Sequence, residues 1–219
     1  MNNIKYKVVN IQRLSINTIN QLGGNKENIS DINFRNQLFI FNNFFSNIDF
    51  SKIKNFVKNL KFKDDDRVSA RKTLCLDQTK YSKLYEIIYN NSRLKSFIKT
   101  INPNEFHNPP RFPIEYRIYP KGSSGMDWHQ DTSLFSPDAI EGVITIENNS
   151  KSEFKWMEHN VERKISPQAN TVALVKPGTV LHSVSGTGNG TRTIIKFVID
   201  FKNTKPKPEF HVELNKCPF

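Results

Sequence analysis

From Pro109 onward the chain breaks into short runs of β-branched and aromatic residues, each closed by turn-forming punctuation. The runs fall at 115–119, 142–147, 153–158, 171–176 and 193–201. Between them stand Pro120-Lys121-Gly122, Asn148-Asn149-Ser150, Pro177-Gly178 and the glycine-rich stretch 186–190. Many short strands with regular turn signals predict a β-sandwich or barrel.

The first half has a different texture. Residues 1–37 are polar and Asn-rich and read as an irregular lead-in with Gly23-Gly24 at its middle. Leu38-Phe39-Ile40-Phe41 predicts a strand. Ser46 or Asn47 caps a helix running to about Leu60, because Phe50, Ile53, Phe56, Val57 and Leu60 share one face. A second helix spans about Thr79 to Thr100, broken near Asn90-Asn91, with a stripe of Leu84, Ile87, Ile88, Leu94 and Ile98. Asp64-Asp65-Asp66 between them is a solvated turn. The expected architecture is mainly β with flanking helices: one domain over 38–219, a helical support region at 38–108 and a β core at 109–219.

Composition narrows the class. Hydrophobic residues make up 37%, seventeen of the residues are Phe, and no run of about 18 apolar residues suits a membrane span. The N-terminal residues lack the apolar stretch of a secretory signal. Cys75 and Cys217 are too few and too far apart for a disulfide framework or a zinc site. A reducing, cytoplasmic or intracellular setting is therefore expected. The net charge of +11 admits an acidic partner such as nucleic acid. Its Lys and Arg residues are scattered, however, and the joint excess of Asn, Lys and Ile is what an AT-rich genome produces without selection for binding.

Chemistry concentrates in Met126-Asp127-Trp128-His129-Gln130-Asp131. On an extended segment, His129 and Asp131 point to one face. Alone, this tripeptide is a weak signal. His182 follows 51 residues after Asp131, just past a strand and the Pro177-Gly178 turn. Two imidazoles and one carboxylate on one face of a metal leave three positions open, the facial triad of non-haem Fe(II) oxygenases. Arg192, ten residues after His182, opens the last long strand. Its guanidinium suits the far carboxylate of a 2-oxoacid that chelates the iron through its other end. Tyr119, ten residues before His129, is placed to share that carboxylate.

The segment from Tyr116 to Phe201 resembles the catalytic core of the 2-oxoglutarate/Fe(II) dioxygenases, and is most similar to their prolyl 4-hydroxylase-like branch. Tyr119, Gly122, His129-Gln130-Asp131, Leu181-His182-Ser183-Val184 and Gly190-Thr191-Arg192 carry the likeness. It implies a double-stranded β-helix, or jelly roll. It also implies Fe(II) on His129, Asp131 and His182, 2-oxoglutarate on Arg192 and Tyr119, dioxygen as cosubstrate, and a peptide or protein substrate. The chain departs from the family at 148–154, where many members have a glycine-rich strand start that shapes the substrate side. Trp128 and Trp156 are weak candidates for the substrate mouth, and core packing serves either as well. Asp127 suits a solvent role; His107, His159 and His211 have no ligand-like neighbours. Two other readings stand beside this one. One is an oxidative demethylase or hydroxylase acting on nucleic acid, although Val198 stands where those enzymes usually place a second Arg. The other is a non-enzymatic jelly-roll binding module.

Overall fold

The computed structural model describes residues 6–9, 38–62, 71–102, 104–217 and 219. In chain order its elements are β1 (Tyr6–Val9), β2 (Leu38–Phe41), α1 (Asn47–Lys58), β3 (Lys72–Leu76), α2 (Ser82–Tyr89), α3 (Ser92–Ile101), β4 (Ile114–Tyr119), β5 (Met126–His129), β6 (Phe135–Ser136), β7 (Ile140–Asn148), β8 (Phe154–Glu158), β9 (Val161–Ile165), β10 (Val172–Val175), β11 (His182–Val184), β12 (Arg192–Ile199), β13 (Lys205–Pro206) and α4 (Pro208–Asn215). A seven-stranded sheet in the order β1-β2-β10-β7-β12-β4-β3 is accompanied by a four-stranded sheet, β5-β11-β8-β9. This is the expected jelly-roll class. The lead-in is partly corrected, because residues 6–9 form an edge strand antiparallel to β2. The remaining lead-in and Asp64-Asp65-Asp66 lie outside the described residues.

Side-chain alternation explains why the large sheet is coated on both faces. Ile195, Phe197 and Ile199 of β12 join Phe39, Phe41, Ile144, Val172 and Leu174 in a core shared with the helices. The intervening Arg192, Ile194 and Lys196 line an interior pocket. Gly142 of β7 has no Cβ because the Phe197 ring occupies that space, with its Cζ 2.2 Å from where a Cβ would stand.

The helices form where their apolar stripes and caps agree. Ser46 accepts from the Asp49 amide at 3.1 Å, capping α1. Asn91 accepts from the Leu94 amide at 3.0 Å, so the expected break at Asn90-Asn91 is the cap that starts α3. Two buried phenols tie α2 to the sheet: Tyr89 donates to the Val198 carbonyl and Tyr85 to the Leu76 carbonyl, each at 2.8 Å.

The C-terminal segment follows a path that its sequence did not reveal. Pro208 starts α4 at a position where its missing N–H costs nothing. Phe210, the helix's buried residue, packs on Phe112 and Phe135. Beyond the helix Cys217 is bonded to Cys75 of β3, with Cα atoms 5.6 Å apart. This corrects the expectation of unpaired cysteines: chain separation misled, because the fold returns the C-terminus to the edge of the large sheet. The reducing setting inferred from free thiols loses that support. Among the described residues no helix is long and apolar enough to cross a membrane.

The bond closes a loop of 142 residues. Removing such a crosslink costs roughly 2–4 kcal/mol through the entropy returned to the unfolded chain. Cys217→Ser is expected to lower the unfolding free energy by about that amount in urea titrations. A thiol reductant should do the same to the wild type and nothing further to the variant.

Candidate metal and cosubstrate site

Strand pairing brings the three predicted ligands together. β11 lies antiparallel to β5 with His182 directly opposite His129. The register then slips, so that Val184 faces Met126 and β5 carries one more residue than β11 between the two pairs. This bulge lets Met126 and His129, three residues apart, both line the interior pocket, while Asp127 and Trp128 stay exposed. Gly125 precedes the bulge at φ +82, and a Cβ there would lie 2.1 Å from the Val184 carbonyl oxygen, so only glycine fits.

His129, Asp131 and His182 present their ligand atoms within 4.8 Å of one another. The Nε2 atoms of His129 and His182 lie 3.8 and 3.5 Å from the Asp131 carboxylate oxygens. Each imidazole is oriented from behind: Nδ1 of His129 is 2.6 Å from the Asp127 carbonyl oxygen, and Nδ1 of His182 is 2.9 Å from that of Val180. With Nδ1–H donating to a carbonyl, the lone pair sits on Nε2 and faces the cluster. The buried Nε2 of His129 has no hydrogen-bond partner. These donors fit a divalent metal of the facial-triad kind.

The electrostatics hold His182 and Asp131 in their binding forms. Burial pulls the His182 pKa down, keeping the ring neutral. Burial alone would raise Asp131, but Lys196, His182 and His129 outweigh it and hold the carboxyl below its ordinary range. Lys196 stands 3.9 Å from Asp131 and 2.6 Å from Glu141. Those two carboxylates keep it charged against the pull of burial.

Arg192 and Tyr119 face each other across β12 and β4. Arg192 is 4% exposed, and its Nε and Nη1 are buried without hydrogen-bond partners. No ion pair with it occurs among the described residues. The pocket that holds Arg192 runs to the metal ligands, passing Thr145, Thr171, Ala173 and Val175. Burial would raise the Tyr119 pKa, yet Arg117, Arg71 and Arg192 together bring it down.

A second, wider cleft of about 440 Å³ opens from His129 and Asp131 toward α4, between Arg71, Arg117, Glu115 and the helix residues Glu209, Val212 and Glu213. Neither tryptophan lines it or the inner pocket. Trp156 is 1% exposed and packs with Leu38, Ile40 and Val175, so its place at a substrate mouth is corrected to core packing. Sequence reasoning missed Arg71, Arg117, Glu141 and Lys196. Lys196 was within reach, since positions 192, 194 and 196 of one strand share a face. Arg71 gave no signal, because β3 was not anticipated.

No family model and no curated protein sequence matches the chain. Solved structures do. An oxidoreductase of the 2OG-Fe(II) oxygenase family from Burkholderia pseudomallei superposes with a TM-score of 0.60 at 13% identity, over 74% of this chain and 84% of that one. HygX from Streptomyces hygroscopicus, with nickel, 2-oxoglutarate and hygromycin B bound, gives 0.59 at 10% identity over 77% and 84%. A prolyl hydroxylase from Trichoplax adhaerens, in complex with a hypoxia inducible factor peptide fragment, gives 0.57 at 15% identity over 84% and 86%.

The neutral His182 imidazole sets the pH behaviour of metal binding. Because the His182 pKa is depressed, the ligand form persists at about pH 6.5, the ordinary histidine value. Affinity should fall only as pH drops further, through the lowered pKa. Calorimetry with Co(II) or Ni(II) is expected to show one site retained at about pH 6.5, weakened on acidification, and absent in Asp131→Ala. The two sheets, their strand order and the superpositions together show that this chain has the fold of the 2-oxoglutarate/Fe(II) oxygenases.

Proposed function

We propose that the chain is an Fe(II)- and 2-oxoglutarate-dependent dioxygenase that hydroxylates an unactivated C–H bond on a peptide or protein side chain. One observation carries the reading: two incomplete donor sets face one pocket. At one end stand His129, Asp131 and His182, at the other Arg192 with two buried, unpartnered nitrogens. A metal completes the first set and a carboxylate the second, and a 2-oxoacid bound to the metal spans both. The likeness to the Trichoplax prolyl hydroxylase, which holds a peptide, supports the peptide substrate.

Iron with 2-oxoglutarate and dioxygen supplies the C–H oxidation, coupled to decarboxylation of 2-oxoglutarate to succinate. His129, Asp131 and His182 would hold the metal by one face and leave the opposite face for ligands. Arg192 would fork onto the far carboxylate, assisted by the Tyr119 hydroxyl. Ala173, Val175, Val184 and Phe154 along the pocket would exclude water from the bound cosubstrate. The substrate carbon would approach through the cleft under α4.

The nucleic-acid alternative gains nothing from the site. Val198, at the second-arginine position, is 1% exposed and packs with Phe112, Phe135 and Phe210. A binding module has no need of an unpartnered buried guanidinium facing a metal-ligand cluster.

Purified protein with Fe(II), 2-oxoglutarate and oxygen is expected to form succinate, and the anaerobic mixture to develop a metal-to-ligand absorption band. Loss of the charged hydrogen bonds in Arg192→Leu, at about 1.5–3 kcal/mol, should raise the 2-oxoglutarate KM about 10- to 100-fold. Absence of both succinate and the band would remove the reading.

A further inference from the structure

Arg71 enters the cleft from the residue just before β3, beside the metal ligands. Its Nη1 reaches only the Met126 sulfur, at 3.3 Å, and its Nε is buried without a partner. It also touches the Tyr119 hydroxyl. No carboxylate pairs with it among the described residues. Neighbouring cations are answered: Arg117 by Glu115 at 2.6 Å, Lys196 by Glu141 at 2.6 Å. Asp131 and the chelating carboxylate of 2-oxoglutarate would neutralise a divalent metal, and the far carboxylate would neutralise Arg192. Arg71 then remains without an ion pair among the described residues: of the carboxylates on the opposite wall of the cleft, Glu213 pairs with Lys216 at 2.8 Å and Glu209 makes no ion pair with Arg71.

We propose that the cleft above the metal site takes a substrate that carries its own carboxylate, and that Arg71 seats it. A guanidinium suits this task because its fork matches the two carboxylate oxygens. The carboxylate would fix which C–H bond faces the metal, making Arg71 a specificity-determining residue. The inference rests on the oxygenase reading and adds the substrate's charge. A free amino acid and an acidic residue of a peptide share this chemistry.

The test uses protein loaded anaerobically with Fe(II) and 2-oxoglutarate, with the absorption band as readout. Two probe sets are titrated: free amino acids against their carboxamides, and end-blocked peptides containing Asp or Glu against the same peptides with Asn or Gln. An acid should perturb the band with an apparent Kd at least about tenfold tighter than its amide. Arg71→Gln should bring acid and amide together, Arg71→Lys should keep part of the difference, and the band formed by 2-oxoglutarate itself should persist in both. A response to free amino acids assigns a small substrate; a response to peptides alone assigns an acidic peptide. The proposal is overturned if acid and amide act alike, if neither perturbs the band, or if Arg71→Gln behaves as wild type. It is also overturned if that variant loses 2-oxoglutarate, which would make Arg71 a cosubstrate residue. Failure of the band to form at all in wild type is a separate result, which removes the oxygenase reading beneath it.

Discussion

The strand β12 is buried on both faces, and the faces make opposite demands. Ile195, Phe197 and Ile199 belong to the apolar layer under the helices, while Arg192 and Lys196 point into the pocket. A slip of one residue would exchange the two sets, driving an arginine and a lysine into the helix interface. Burial of unpaired charge in such a layer is costly enough to exclude the slipped register. Register is pinned further by the Tyr89 hydroxyl on the Val198 carbonyl and by Phe197 filling the space above Gly142. Arg192 and the two histidines are thus held on strands of the two sheets, with Asp131 only two residues past β5, which suits a site that must span a bound molecule of fixed length.

Inside the pocket, charge is managed in two ways. Glu141 answers Lys196, and Glu115 answers Arg117, so these pairs need no ligand. Arg192 has no such answer within the described protein, and the Nε2 of His129 beside Asp131 has no hydrogen-bond partner. A buried charged donor left without a partner costs more than the roughly 1–3 kcal/mol of a neutral one. The ligand-free fold carries that cost, and a ligand that completes both sets relieves it. Local inconsistency of this kind, in a chain whose core is otherwise consistent, marks the place where function was selected over stability.

Much of this was legible beforehand because local chemistry and tertiary demand coincide. β2, α1 with its Ser46 cap, the α2–α3 break at Asn90-Asn91 and the strands β7, β10 and β12 carry their own period and punctuation. The metal cluster was legible because its spacing, turn and following arginine form one pattern. Other parts were silent for physical reasons. β3 begins beside charged residues and is completed by pairing with β4, while four of the five residues of β9 are exposed, so neither shows a clean alternation. Glu141 and Lys196 look like surface residues until the strand that holds them is buried. Trp156 was ambiguous because a tryptophan near a site serves a core equally well. Cys75 and Cys217 meet only through the path of α4, which no local signal specifies.

That path bears on how the site is divided. The proposed metal and cosubstrate residues stand on β4, β5, β11 and β12 or, for Asp131, two residues past β5. The outer wall of the cleft instead comes from α4, held at its start by Phe210 on Phe135 and just past its end by Cys217 on Cys75. A helix anchored at both ends by contacts away from its cleft-facing residues can change Glu209, Val212 or Glu213 without disturbing the strands beneath. The proposed metal chemistry is thereby placed where register is over-determined, and the outer wall of the cleft where the sequence is less constrained by packing. This division accounts for a cluster of metal-ligating side chains that is readable from its spacing, turn and following arginine, and a cleft that becomes readable only once the fold has placed Arg71 and α4 across it from each other.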